Sequence, residues 1–111
     1  MRPEFHPEAE LEFIEAAVHY ERQVRGLGER FEAEIQRATD LLLDQPKIGL
    51  SVDPDLRKFI LTRFPFTSYY SLAADALRIE AVAHQSRRPG YWKTRVTASA
   101  KIRASSLSDA T

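Results

Sequence analysis

A chain of 111 residues that is 43% hydrophobic, lacks cysteine and has a formal net charge of zero is the size of one domain with one modest core. Disulfides are excluded as a source of stability, and the expected setting is cytoplasmic. The opening Met-Arg-Pro-Glu-Phe-His has no signal-peptide character, and no run nears the ~20 apolar residues of a membrane span.

Arg2 to His6 reads as a short extended segment. Pro3 removes one backbone donor, so a strand here sits at a sheet edge or begins late. Pro7 suits the first position of a helix, with Glu8 and Glu10 in the first turn, where the helix dipole favours acids. Ala9, Phe13, Ala16, Ala17, Tyr20 and Val24 recur at helical spacing and predict a helix over 7–25. Gly26-Leu27-Gly28 breaks it. Phe31, Ile35, Ala38 and Leu42 then predict a second helix over 28–44. So short a link makes the two an antiparallel hairpin, and their stripes need a further layer to cover them. Pro46 and Gly49 end the second helix, and 45–55 reads as loop.

The period then changes. Leu56 to Phe64 is rich in branched and aromatic residues and reads as a strand. Phe66 to Leu72 alternates and reads as a second. After a turn at 73–76, Leu77, Ile79, Ala81 and Ala83 alternate with Arg78, Glu80, Val82 and His84 as a third. The fold class is α+β: an N-terminal strand, a helical hairpin and a three-stranded antiparallel meander. The domain covers 1–95, and the Ser- and Ala-rich tail 96–111 is expected to be mobile or weakly helical.

The zero charge hides a split. Residues 1–55 hold 13 acids and 6 Lys/Arg, a balance of −7; residues 56–111 hold 3 acids and 10 Lys/Arg, a balance of +7. Such asymmetry points to an anionic partner for the second half, unless the halves interleave in the fold. The densest cationic stretch is His84-Gln-Ser-Arg-Arg-Pro-Gly-Tyr-Trp-Lys-Thr-Arg95. Arg87, Arg88, Lys93 and Arg95 offer guanidinium and ammonium groups to phosphate or carboxylate, and Tyr91 and Trp92 offer stacking faces. The plainer alternative is that both rings close the core edge while the cations keep the surface wet.

Several short pieces, in this order, resemble one family. They are His6-Pro7-Glu8-Ala9, Tyr20-Glu21, Gly26-Leu27-Gly28-Glu29-Arg30-Phe31, Pro46, Leu56-Arg57-Lys58, Arg63-Phe64-Pro65-Phe66, Tyr70, Ala81-Val82-Ala83-His84, Arg87-Arg88-Pro89-Gly90-Tyr91-Trp92 and Arg95. Over residues 3–95 the chain resembles the RelE/ParE superfamily of toxins from bacterial type II toxin–antitoxin modules. The resemblance implies a plasmid-stabilisation-type toxin that arrests growth and is silenced by an antitoxin from the same operon. Two mechanisms share this scaffold: ParE-like inhibition of DNA gyrase by contact, and RelE-like cleavage of messenger RNA on the ribosome. A degenerate or differently targeted protein is a further alternative.

A nuclease needs a base, an acid and cations for the phosphate. The candidates are His84, Arg57, Arg63, Arg87, Tyr91 and Arg95, with Lys58 and Arg88 as further cations. Two departures weaken that mechanism. RelE-like members usually carry an arginine about three residues before the tyrosine matched by Tyr70, and this chain has Thr67 there. Net zero charge also suits ribosomal RNA poorly. A gyrase binder needs only a surface, for which Arg87, Arg88, Tyr91, Trp92, Lys93 and Arg95 are the target-binding candidates. Leu11, Ile14, Val18 and Leu27 lie beside the main helical stripes. They either widen the core or receive an amphipathic antitoxin helix. His6, His19 and His84 are scattered, so no metal or cofactor is expected. The pair Glu8 and Glu12 reads as a wet helix face.

Overall fold

The structure is a computed structural model and describes residues 1–88 and 90–96. The expectations for most of the tail therefore lie outside the described residues. The order is β1 (Arg2–Phe5), α1 (Pro7–Gln23), α2 (Leu27–Asp44), β2 (Leu50–Asp53), β3 (Leu56–Ile60), β4 (Phe66–Leu72) and β5 (Ala76–His84). The fold is α+β, as expected, but the sheet has five strands in the order β1-β5-β4-β3-β2. β3, β4 and β5 form the antiparallel meander. β1 joins it in parallel, with Arg2 opposite Ala76 and Phe5 opposite Ile79. β2 comes from a segment expected to be loop, and β3 stops at Ile60 rather than running to Phe64.

Local chemistry fixes the helical hairpin. His6 precedes α1, and its Nδ1 accepts the Glu8 N–H at 3.1 Å, with Pro7 following. At the junction Gly26 takes φ +87°, which a side chain would strain. The Glu21 carboxylate accepts N–H groups from Gly26 at 2.8 Å and Gly28 at 3.0 Å. Gly28 lies so close to the Ala17 carbonyl that there is no room for a Cβ. These contacts set the two helices against each other.

The main core lies between the helices and one face of the sheet. Phe31 is fully buried, and around it stand Phe13, Tyr20, Phe64 and Phe66 at centroid distances of 5.9, 5.4, 5.2 and 5.0 Å. Tyr70 anchors the far side: its hydroxyl donates to the Pro46 carbonyl at 2.8 Å and accepts the Gly49 N–H at 3.0 Å. A second, smaller cluster of Leu56, Ala81 and Trp92, flanked by Tyr69, Tyr91 and Val96, is separate from it.

The alternation read along β5 breaks at Glu80. Tyr69 stands opposite Ala81 and Tyr70 opposite Ile79, so Glu80 is the extra residue of a bulge. Ile79 and Val82 join the main core while Ala81 joins the Trp92 cluster, which reverses the expected phase after Glu80. The halves of opposite charge do interleave: Arg78 pairs with Glu4, and Arg95 with Glu8 and Glu12.

Candidate functional site

The site is built on a gap in the sheet. β1 accompanies β5 only as far as Ile79, so beyond it the backbone of β5 faces no strand among the described residues. Side chains close that edge. Glu12, from α1, accepts the Val82 N–H at 3.1 Å, and Arg95 Nη1 donates to the Glu80 carbonyl at 3.2 Å.

Glu12 is the common acceptor of this corner. Besides Val82 it receives the Tyr91 hydroxyl at 2.5 Å and Arg95 Nη1 at 2.8 Å. Arg95 Nε reaches Glu8 at 2.8 Å. The Arg95 and Glu12 side chains are only 10% and 14% exposed, so this pair is largely out of water. Charge-assisted hydrogen bonds of this kind are the strong ones. Burial and the Glu12 carboxylate hold the Tyr91 hydroxyl well above its ordinary pKa. Burial works against the charge on Arg95, but its hydrogen bond to Glu12 and the nearby acidic groups outweigh that and raise its pKa.

The rings complete a strap over residues 90–96. Trp92 stacks on Tyr69 with centroids 3.8 Å apart, and it is only 6% exposed. The Tyr91 ring lies between the Arg87 and Arg95 guanidiniums, at 4.1 and 5.0 Å from its centroid. Arg87, Arg88 and Lys93 are exposed.

This placement changes the expected surface. Trp92 is a packing residue, not an exposed stacking face, because Leu56, Ala81 and Tyr69 supply an apolar seat for it. Arg95 is neutralised by Glu8 and Glu12 and does not stand free as a cation. Glu12 is not part of a wet helix face. Sequence reading missed it as an anchor because its partners lie in the last part of the chain. The only local hint was that Glu8 and Glu12 share a helix face four residues apart.

The nuclease candidates do not all come together. His84 and Arg87 line one groove of about 260 Å³ with Glu12, Glu15, His19 and Tyr20. His84 Nδ1 accepts the Ser86 N–H at 3.0 Å and lies 2.7 Å from the Ser86 hydroxyl, while its ring meets Phe66 edge-on. It fixes the turn after β5. Arg57 is elsewhere, donating to the Lys47 and Gly49 carbonyls at 3.1 and 2.8 Å. Arg63 lines a separate groove with Glu34, Arg37 and Phe59. Among the described residues no group of His, Cys, Asp and Glu has the makings of a metal site, and no helix is long and apolar enough to cross a membrane.

On α1, Leu11, Ile14 and Val18 are exposed and lie on one side at helical spacing, while Leu27 is half-buried. Ile14 borders two grooves along the hairpin. One includes Phe5, Phe13 and Ile35 with Glu10 and Glu32; the other includes Ala17 and Val18 with Glu21, Glu29 and Glu32.

Residues 4–89 match the family model described as ParE toxin of type II toxin-antitoxin system, parDE. The chain belongs to the ParE toxin family. A solved chain titled "Chromosomal ParDE TA system from P. aeruginosa" shares the fold, with a TM-score of 0.57 and 17% identity over 76% of this chain and 95% of that one. No curated protein sequence matches. As a ParE-family protein the chain is a type II toxin, and a type II toxin has an antitoxin as its partner. The family match ends at residue 89, so Arg87 and Arg88 fall inside it while Tyr91, Trp92, Lys93 and Arg95 lie beyond.

Proposed function

We propose that this toxin arrests growth by binding DNA gyrase and not by cleaving RNA. The carrying observation is the fate of the cations. Arg57 is committed to backbone carbonyls and Arg95 to Glu8 and Glu12, which leaves His84 and Arg87 without a convergent set of phosphate ligands. A contact inhibitor needs no such set. The Arg87, Arg88 and Lys93 side chains form its contact ridge, and Tyr91, Trp92 and Arg95 hold the ridge in place.

The test follows transcripts and plasmid topology in the same cells after induction without antitoxin. The expected result is a loss of negative supercoiling while transcripts stay intact. Early cleavage of transcripts at codon boundaries with unchanged topology would return the RelE-like mechanism.

The antitoxin seat is the exposed face of α1. Leu11, Ile14 and Val18 form an apolar stripe, and Glu10, Glu21, Glu29 and Glu32 border the grooves beside it. The fitting partner is an amphipathic helix with apolar residues at helical spacing and Lys or Arg on its flanks. Changing Leu11, Ile14 and Val18 together to Asp removes that stripe without touching the core. Toxicity is then expected to persist when antitoxin is co-expressed, and pull-down of antitoxin to fall at least tenfold. Full neutralisation of the triple variant would place the antitoxin elsewhere.

A further inference from the structure

A groove of about 290 Å³ runs between α2 and the end of β3. One wall is Glu34, Arg37, Ala38 and Leu41, which share a side of α2 at i, i+3, i+4 and i+7. The other is Phe59 of β3 with Thr62 and Arg63 of the bend that follows. The cleft opens because β3 stops at Ile60 and the chain then turns to carry Phe64 onto Phe31 in the core. It shares no residue with the α1 stripe or with the ridge at Arg87, Arg88 and Lys93.

Its charge sets it apart. The one carboxylate in its wall is already used: the Glu34 side chain is 9% exposed and accepts from Arg37 Nη2 and from the Thr62 hydroxyl at 3.4 Å. The Arg37 side chain is still 60% exposed, and a guanidinium has five N–H donors, so most of them face water. Arg63 is exposed, and among the described residues it joins no ion pair. The rim is therefore cationic, while Ala38, Leu41 and Phe59 make an apolar floor. The two grooves beside the α1 stripe are the reverse, bordered by Glu10, Glu21, Glu29 and Glu32 with no Lys or Arg.

We propose that this groove docks an acidic, apolar peptide segment of another protein. An apolar side chain of that segment covers Leu41 and Phe59, and a neighbouring Asp or Glu meets Arg63 and the outer N–H groups of Arg37 through charge-assisted hydrogen bonds. Glu34 already holds Arg37 on its inner side, which lowers the entropic cost of ordering that guanidinium on docking. A nucleic-acid backbone would match the charge but bring nothing apolar to the floor. A basic segment would match the floor but meet Arg63.

The test is a nuclear magnetic resonance titration of the full isotope-labelled chain, made in a cell-free reaction. The probe is a short synthetic peptide in which Leu alternates with Glu, its ends capped. Its twin carries Lys in place of Glu, and a short oligothymidylate is the third ligand. The acidic peptide is expected to shift signals of residues 34–41 and 59–63, and to bind less tightly as salt rises. The lysine twin should bind at least fivefold more weakly. Arg63→Glu, an exposed change that breaks no ion pair, should weaken the acidic peptide roughly fivefold or more, and Leu41→Ser should weaken it without changing charge. Arg22→Glu, equally exposed but on α1, should leave binding as it was. No shifts at millimolar peptide, shifts centred elsewhere, equal binding of the lysine twin, or indifference to Arg63→Glu overturns the proposal. So does oligothymidylate moving the same signals more strongly, which gives the groove to nucleic acid. Broadening of those signals with chain concentration alone, together with a doubled mass, gives it to a second copy and overturns the proposal too.

Discussion

Replacing Glu12 by alanine is expected to destabilise the chain by about 2–3 kcal/mol and to lower its melting temperature by on the order of 10 °C. The change strands three donors at once: the Val82 N–H, the Tyr91 hydroxyl and Arg95. Removing one partner of a buried pair costs roughly 3–5 kcal/mol when the other is left alone. Here Glu8 and the Glu80 carbonyl still hold Arg95, which places the cost below that range. Arg95→Met should cost less, because Glu12 keeps Val82 and Tyr91. The double variant should lose less than the sum of the singles, by about 1–3 kcal/mol. Strict additivity in thermal melts would mean that the two side chains are not coupled and that the strap is held by Trp92 alone.

Phe31→Ala should have the larger effect, about 3–5 kcal/mol, with a fall in melting temperature of roughly 15 °C or more. Phe31 is fully buried among four rings drawn from α1, the bend at 64–66 and β4, so its loss opens a cavity that none of them can close alone. Against a typical total stability of about 5–15 kcal/mol, that leaves much of the chain unfolded at growth temperature. Phe31→Leu should recover most of the loss, since it refills the space with apolar volume. Equal melting curves for the wild type and Phe31→Ala would contradict the placement of this ring at the centre of the core.

The helical hairpin was legible because its signals are local. The apolar stripe from Ala9 to Tyr20, Pro7 at the start and the Gly26-Leu27-Gly28 break each act within a few residues. Strand β2 was hidden because Gly49 and Ser51 dilute a short run that sits between Pro46 and Pro54, and only pairing with β3 makes it a strand. The bulge at Glu80 was hidden for a different reason. Leu77 to His84 alternates cleanly on paper, and nothing local marks where the register against β4 shifts. The corner around Glu12 depends on a contact across most of the chain. Composition suggested a basic second half facing an anionic partner, whereas Arg95 pairs with Glu8 and Glu12 of the first half and Arg78 is shared between Glu4 and Glu80. The pair Arg87 and Arg88 stands exposed, as its place in a charged turn predicts.

That pair carries the central claim, and the most direct measurement is inhibition of purified DNA gyrase by the purified chain in a supercoiling assay. The wild-type chain is expected to block supercoiling. Arg87→Glu with Arg88→Glu should lose at least tenfold in inhibition while the chain stays folded, since both side chains are exposed and the stacking of Arg87 on Tyr91 that is lost is worth only about 0.5–1 kcal/mol. A wild-type chain that leaves gyrase untouched, or a charge-reversed variant as potent as the wild type, would contradict the account.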